Sequence, residues 1–133
     1  MRIVLDANVL VSGIFFSGPP FEILKAWGEG KLEFVLTVEI LDEYYRVAAA
    51  LGKRFPEIDV SAFLDMVTAN SDVVNAVVLP GPVCDDPDDD KFIACAIAGK
   101  TRIIVSGDKH LLNVDGFRKI RVFKPRDFTD KYL

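Results

Sequence analysis

Two short apolar runs, RIVL at Arg2–Leu5 and IIV at Ile103–Val105, constrain the fold most, because each stops on a turn that carries an acid. Uninterrupted β-branched runs of this length read as strands buried on both faces, the signature of a parallel sheet. Similar runs at 33–36, 73–79 and 120–123 supply further strands. Helical patterns fill the intervals: 20–27, stopped by Gly28 and Gly30; 38–51, opened by Thr37 as N-cap and stopped by Gly52; and 60–70. Strands alternating with helices predict an α/β sandwich with a central, mostly parallel sheet. Such sheets place ligands just beyond the carboxyl ends of their strands, which is where Asp6 and Asp108 fall.

After a Pro/Gly-rich loop at 80–86 comes CDDPDDDKFIACA, with aspartates at 85, 86, 88, 89 and 90. Asp86 or Asp88 can cap a helix that Pro87 begins and Gly99 ends. A helix dipole accounts for one or two acids in a first turn, not for five. The remainder is either well solvated or offset by a cation; an all-oxygen set without His or Cys ligands suits Mg²⁺ or Mn²⁺ better than Zn²⁺. Taken singly, Asp6 and Asp108 read equally as turn formers or as site acids. Glu43 shares one face of its helix with Glu39, Asp42 and Arg46, so periodicity does not separate it from a solvated acid.

With 133 residues, half of them apolar, the chain suffices for one domain, expected over residues 1–133. Two cysteines outside any ligand motif point to a reducing compartment. Asp6 interrupts what would be the apolar part of a signal peptide, and no run approaches a membrane span, so a cytoplasmic protein without a membrane partner is expected. The net charge of −4 is unevenly distributed: residues 1–90 carry 6 Lys/Arg against 16 Asp/Glu, whereas residues 91–133 carry 10 against 4. That asymmetry fits a basic surface for phosphates beside an acidic pocket, a solvated face, or a site for an acidic partner.

Taken together, MRIVLDANVLVSGI, the acid in the second long helix, DPDDDKFIACAIAG, RIIVSGDKHLL and the closing KPRDF resemble the PIN-domain family over nearly the whole chain. The resemblance is to its bacterial and archaeal toxins of toxin-antitoxin systems, the VapC-like ribonucleases. It implies a three-layer α/β/α sandwich with strand order 3-2-1-4-5 and a Mg²⁺- or Mn²⁺-dependent ribonuclease in which a metal-activated water attacks the phosphodiester. Carried over residue by residue, the first acid falls on Asp6, the helical acid on Glu43 with Asp42 competing, the third on Asp90 in preference to Asp88 and Asp89, and the fourth on Asp108. Asn8 and Ser106 match the small polar residues that support the first and last acids, while Asp86 and Asp89 either join the site or merely cap. Lys91, Lys109 and His110, with Lys100 and Arg102 as further candidates, are expected to meet RNA phosphates. A cognate antitoxin and a homodimer are the implied partners. The rival expectation is a catalytically silent PIN-like binding module. A phospho-accepting receiver domain fits less well, since no lysine follows the last strand in the required role.

Overall fold

The computed structural model describes residues 1–133. Five parallel strands, β1 (Arg2–Leu5), β2 (Glu33–Leu36), β3 (Asp72–Val73), β4 (Ile103–Val105) and β5 (Arg121–Phe123), form one sheet in the order β3-β2-β1-β4-β5. Seven helices flank it: α1 (Ala7–Phe15), α2 (Pro19–Gly28), α3 (Val38–Gly52), α4 (Val60–Ala69), α5 (Asp90–Ala98), α6 (Lys109–Leu112) and α7 (Pro125–Tyr132). The expected strand order and α/β class are those observed. No single helix is long and apolar enough to cross a membrane.

β1 is the hub. Its residues Ile3, Val4 and Leu5 are at most 1 % exposed, which is why RIVL has no polar alternation. Arg2 and Ile3 pair with Glu33 and Phe34 of β2, and Val4 and Leu5 with Ile104 and Val105 of β4. At the amino end of the sheet, the Arg2 guanidinium donates to Glu33 and Asp72, each at 2.7 Å, and to the Gly99 carbonyl at 2.9 Å, tying β1, β2, β3 and the end of α5 together. α5 lies against β1, β2 and β4, and its Phe92, Ile93, Cys95 and Ala96 enter the core.

The third strand departs from expectation. The run at 73–79 predicts a strand of seven residues, but β3 has two and is followed by irregular chain. β3 can pair only with β2, which ends at Leu36, where Thr37 starts α3 by accepting from the Ile40 N–H. Val74 N–H to the Leu36 carbonyl, at 2.8 Å, is the last bond available, and Val78 further on is 96 % exposed. The helix of the acidic motif also starts later than the capping pattern suggests. Asp86 accepts from Asp88 N–H and caps a 3₁₀ turn, Pro87–Asp89, after which α5 begins at Asp90 and ends at the expected Gly99.

α1 has no clear sequence signal, because ANVLVSGIF combines β-branched residues with a glycine of low helix propensity. Tertiary packing overrides that: Val9, Leu10, Val11 and Gly13 are buried, with α1 packed against α2 and α3. A Cβ on Gly13 would lie 2.7 Å from both the Pro20 carbonyl oxygen and Leu24 Cδ1, so glycine is what lets α2 approach. Replacing Gly13 by alanine gains about 1 kcal/mol of helix propensity but forces an overpacked contact worth about 1–3 kcal/mol. Gly13→Ala is therefore expected to lower the stability in urea unfolding, by roughly 1 kcal/mol; an unchanged or raised midpoint would show that α2 does not sit this close.

Candidate active site

Because the sheet is parallel, β1 and β4 end at the same edge and deliver Asp6 and Ser106 side by side. The Asp6 N–H donates to the Val105 carbonyl at 3.0 Å, and the Ser106 N–H to the Phe123 carbonyl at 2.9 Å, so both turns continue the ladder. Asp6 opens α1 through its carbonyl, which accepts from Val9 and Leu10. Its side chain does not cap that helix. Instead Asp6 Oδ2 accepts from Ser106 Oγ at 2.6 Å, and Ser106 Oγ in turn accepts from the Asp108 N–H at 2.9 Å. Asp6 is 5 % exposed and Ser106 wholly buried. Burial pushes the Asp6 carboxyl above its ordinary range; Ser106 opposes the shift, and the charges of Glu43 and Asp108 reinforce it.

Asp108 begins α6, accepting from the His110 N–H at 2.8 Å. With Asp6, Asn8 and Gly107 it lines an open cavity of about 360 Å³. Glu43 enters from α3 and is half-buried, whereas Asp42 is exposed, so the helix turns Glu43 toward Asp6. The next residue, Tyr44, is buried and donates its hydroxyl to the Leu5 carbonyl, which fixes α3 against the end of β1.

The acidic motif is divided between two sides of the chain. Asp90, expected as the third site acid, does not face Asp6 and Asp108. Its Oδ1 accepts from the Cys84 N–H at 2.7 Å and its Oδ2 from the Val83 N–H at 3.2 Å, so this carboxylate staples the incoming loop to α5. Burial alone would raise its pKa, but these donors hold it below the ordinary value. Asp89 is the residue that shares the field of Asp6 and Asp108. Its Oδ2 is buried with no hydrogen-bond partner. Its carboxyl is pushed up to about 6 by burial first, then by the charges of Asp108, Asp86 and Asp6, with His110 opposing. Successive helical residues point about 100° apart, so the last residue of the 3₁₀ turn and the first of α5 necessarily serve different sides.

Lys91 is also reassigned. Its Nζ donates to Glu43 Oε1 at 2.8 Å and to Asp88 Oδ2 at 3.2 Å, and its side chain is only 9 % exposed. Burial disfavours its charge, but Glu43 and Asp88 more than offset this and raise its pKa. It is an internal counter-charge rather than an open phosphate contact. Lys109 is exposed at the rim. His110, read from sequence as a surface residue or phosphate contact, is half-buried beside Asp89, with Nδ1 buried and unpartnered. Asp86 caps the 3₁₀ turn, and its charge is one of those that raise the Asp89 pKa. No three His, Cys, Asp or Glu side chains stand in chelating geometry.

A parallel 3-2-1-4-5 sheet that gathers Asp6, Asp89, Asp108 and Glu43 at its carboxyl edge defines an acidic site of the kind found in metal-dependent nucleases. The chain belongs to the PIN-domain family, whose profile matches residues 2–110. It is also 28 % identical to the uncharacterized protein MJ1680 of Methanocaldococcus jannaschii, over 99 % of this chain and 92 % of that protein. PIN domains are generally nucleases and usually use divalent metals, so the chain is a nuclease-type module.

Asp6 and Asp89 bind protons more tightly in the folded state than in the unfolded one, so their ionisation opposes folding, and stability falls as pH rises through their folded pKa values. For Asp89 the window runs from 3.8, its ordinary value, to about 6. Asp90 and Asp115 are shifted the other way and act below that window. The metal-free protein should gain stability between pH 7 and pH 5, by less than about 1 kcal/mol because solvent screens a carboxyl that is only partly buried. Urea midpoints in EDTA should show the gain in the wild type and a flatter profile in Asp89→Asn; identical profiles would contradict the placement of Asp89.

Proposed function

We propose that this protein is a Mg²⁺- or Mn²⁺-dependent endoribonuclease acting on single-stranded RNA, the toxin of a toxin-antitoxin pair. The observation that carries this reading is the uncompensated acid at the sheet edge: two carboxyls with raised pKa values, one of them with an orphaned buried oxygen. Carboxylates assembled against their own repulsion suit a cation. An oxygen-only set of this kind fits Mg²⁺ or Mn²⁺, which are held by one or two carboxylates and retain water, so three acids in direct chelation are not required.

Asp6, Asp89 and Asp108 would hold the ion, one or two of them directly and the rest through its retained waters, with Glu43 near enough to act on Asp6. When bound there, the ion makes a water nucleophile available near neutral pH and neutralises charge developing on the scissile phosphate. The protein's own groups prepare that site. Ser106 donates to one oxygen of Asp6 and fixes its orientation, while its Oγ also receives the Asp108 N–H, setting both acids from one atom. Lys91 fixes Glu43. Asn8 lines both the acid cavity and a second one, about 550 Å³, that holds Arg46, Arg54 and the apolar Val47 and Leu51. A strand leaving the acids past Asn8 meets two arginines for its phosphates and an apolar floor for its bases, an arrangement suited to unstacked RNA. Phe16 and Phe21, exposed on and beside α1 and α2, offer apolar area for an antitoxin or a second copy.

The absence of three acids in chelating geometry favours one alternative, a silent PIN-like module that binds nucleic acid or protein without cleaving. Cleavage of labelled single-stranded RNA in Mn²⁺ separates the two. Asp6→Asn and Asp89→Asn should each lower the rate by at least about 10²-fold. Asp90→Asn should lose about 1–3 kcal/mol of stability through its two backbone bonds and keep cleavage near the wild-type level where it is folded. Equal losses in Asp89→Asn and folded Asp90→Asn would refute the assignment, and no wild-type cleavage in Mn²⁺ would favour the silent module.

A further inference from the structure

At the opposite end of the sheet, where β4 and β5 begin, Lys100, Arg102 and Arg118 line a pocket of about 320 Å³ with Ala96, Ile97 and Ile120. Lys100 and Arg102, candidates for RNA phosphate contacts, precede β4 and therefore lie at the edge opposite the acids. No acid lines the pocket. The neighbouring carboxylates are already engaged: Glu33 and Asp72 with Arg2, and Asp115 with Arg121. Lys100, Arg102, Arg118 and the adjoining Lys119 are exposed, and none forms an ion pair.

The backbone supplies a second, independent observation. The positive-φ residues other than glycine are Lys100 (φ 55°), Arg118 (φ 48°) and Lys119 (φ 65°); all are basic, the first two line this pocket, and Lys119 follows Arg118. Lys100 occupies the residue after the Gly99 cap of α5. Its N–H bonds the Ile97 carbonyl and the next N–H, of Thr101, bonds the Ala96 carbonyl. In that helix ending the left-handed residue is usually glycine, which has no Cβ to strain. Arg118 and Lys119 place two further cations in the same unfavourable region, just before β5. Three long cationic side chains thus stand where glycine or asparagine would be relaxed, and local strain of this kind gathers at binding sites.

We propose that this pocket is a second, non-catalytic phosphate site that holds the backbone of a single-stranded RNA whose other part lies at the acidic edge. The inference rests on the ribonuclease reading for its substrate. Arginine forks match phosphate oxygens, and the floor of Ile97 and Ile120 accepts a ribose or base face, which an acidic peptide would not use. RNA bound at both ends must cross the domain, so the site contributes to long substrates and not to a trinucleotide seated on the acids.

The test uses full-length protein carrying Asp89→Asn, so that binding is read without cleavage and remains readable if the ribonuclease reading fails. Anisotropy with a ~20-nucleotide single-stranded RNA should show weaker binding in Lys100→Gly, Arg118→Gly and Arg102→Gln, each lowering the slope of log K against log salt by about 0.7. Trinucleotide binding should not change. Lys100→Gly and Arg118→Gly should at the same time raise the Tm, because the strain is removed. A cation with a purely structural role would give no loss of RNA affinity. Unchanged affinity for the long RNA in all three variants would overturn the proposal, as would polyglutamate competing as well as RNA at equal charge. Arg102→Gln, which leaves the strained backbone alone, keeps the test valid if a glycine variant folds poorly.

Discussion

The hydrogen bond from Ser106 Oγ to Asp6 Oδ2 spans 100 positions of sequence, and the acidic edge depends on it. It can form only because β1 and β4 are adjacent and parallel, with Leu5 opposite Val105. A parallel pair ends in register, so the residues just past both strands meet. The same serine oxygen receives the Asp108 N–H, which places the start of α6. One buried hydroxyl thereby sets two of the acids, while Tyr44 on Leu5 sets the helix that brings the third.

The edge is built against electrostatic resistance. Asp6 and Asp89 both have raised pKa values because burial and neighbouring acids disfavour their charge. The fold tolerates this since each acid sits on a separately stabilised element: Asp6 just past the central strand, Asp108 on a capped turn, and Asp89 on a 3₁₀ turn held by Asp86 above and by Asp90 below. The five aspartates of the motif therefore divide their work. Asp86 caps, Asp90 anchors the loop, Asp88 pairs with Lys91, Asp85 is exposed, and Asp89 faces the other acids.

Much of this was legible in the residues. Uniform apolar runs reported the parallel sheet, and the acids after Leu5 and Val105 reported its acidic edge. Helix α3 was bounded correctly by Thr37 and Gly52, yet only tertiary placement separates Glu43 from Asp42. Three features were not legible, for identifiable reasons. The extent of β3 depends on where its partner β2 stops, not on its own apolar run. α1 forms from burial against α2 and α3 in spite of its composition. That Asp90 bonds the incoming loop while Asp89 shares the field of the other acids follows from the 3₁₀ turn ahead of α5, and no local pattern fixes the phase of a carboxylate across that junction. Charge counting likewise located the basic final third of the chain but not its faces: Lys91 is consumed by Glu43 and Asp88, while Lys100 and Arg102 lie at the far edge.

The central claim is that Asp6, Asp89 and Asp108 together hold a divalent cation. Anomalous diffraction from crystals soaked in Mn²⁺ tests it most directly. The account predicts a peak among those three carboxylates, beside the Asn8 cavity, that vanishes in Asp89→Asn crystals. A peak at Asp90 and Asp88 in its place, or no peak at saturating Mn²⁺, would contradict it.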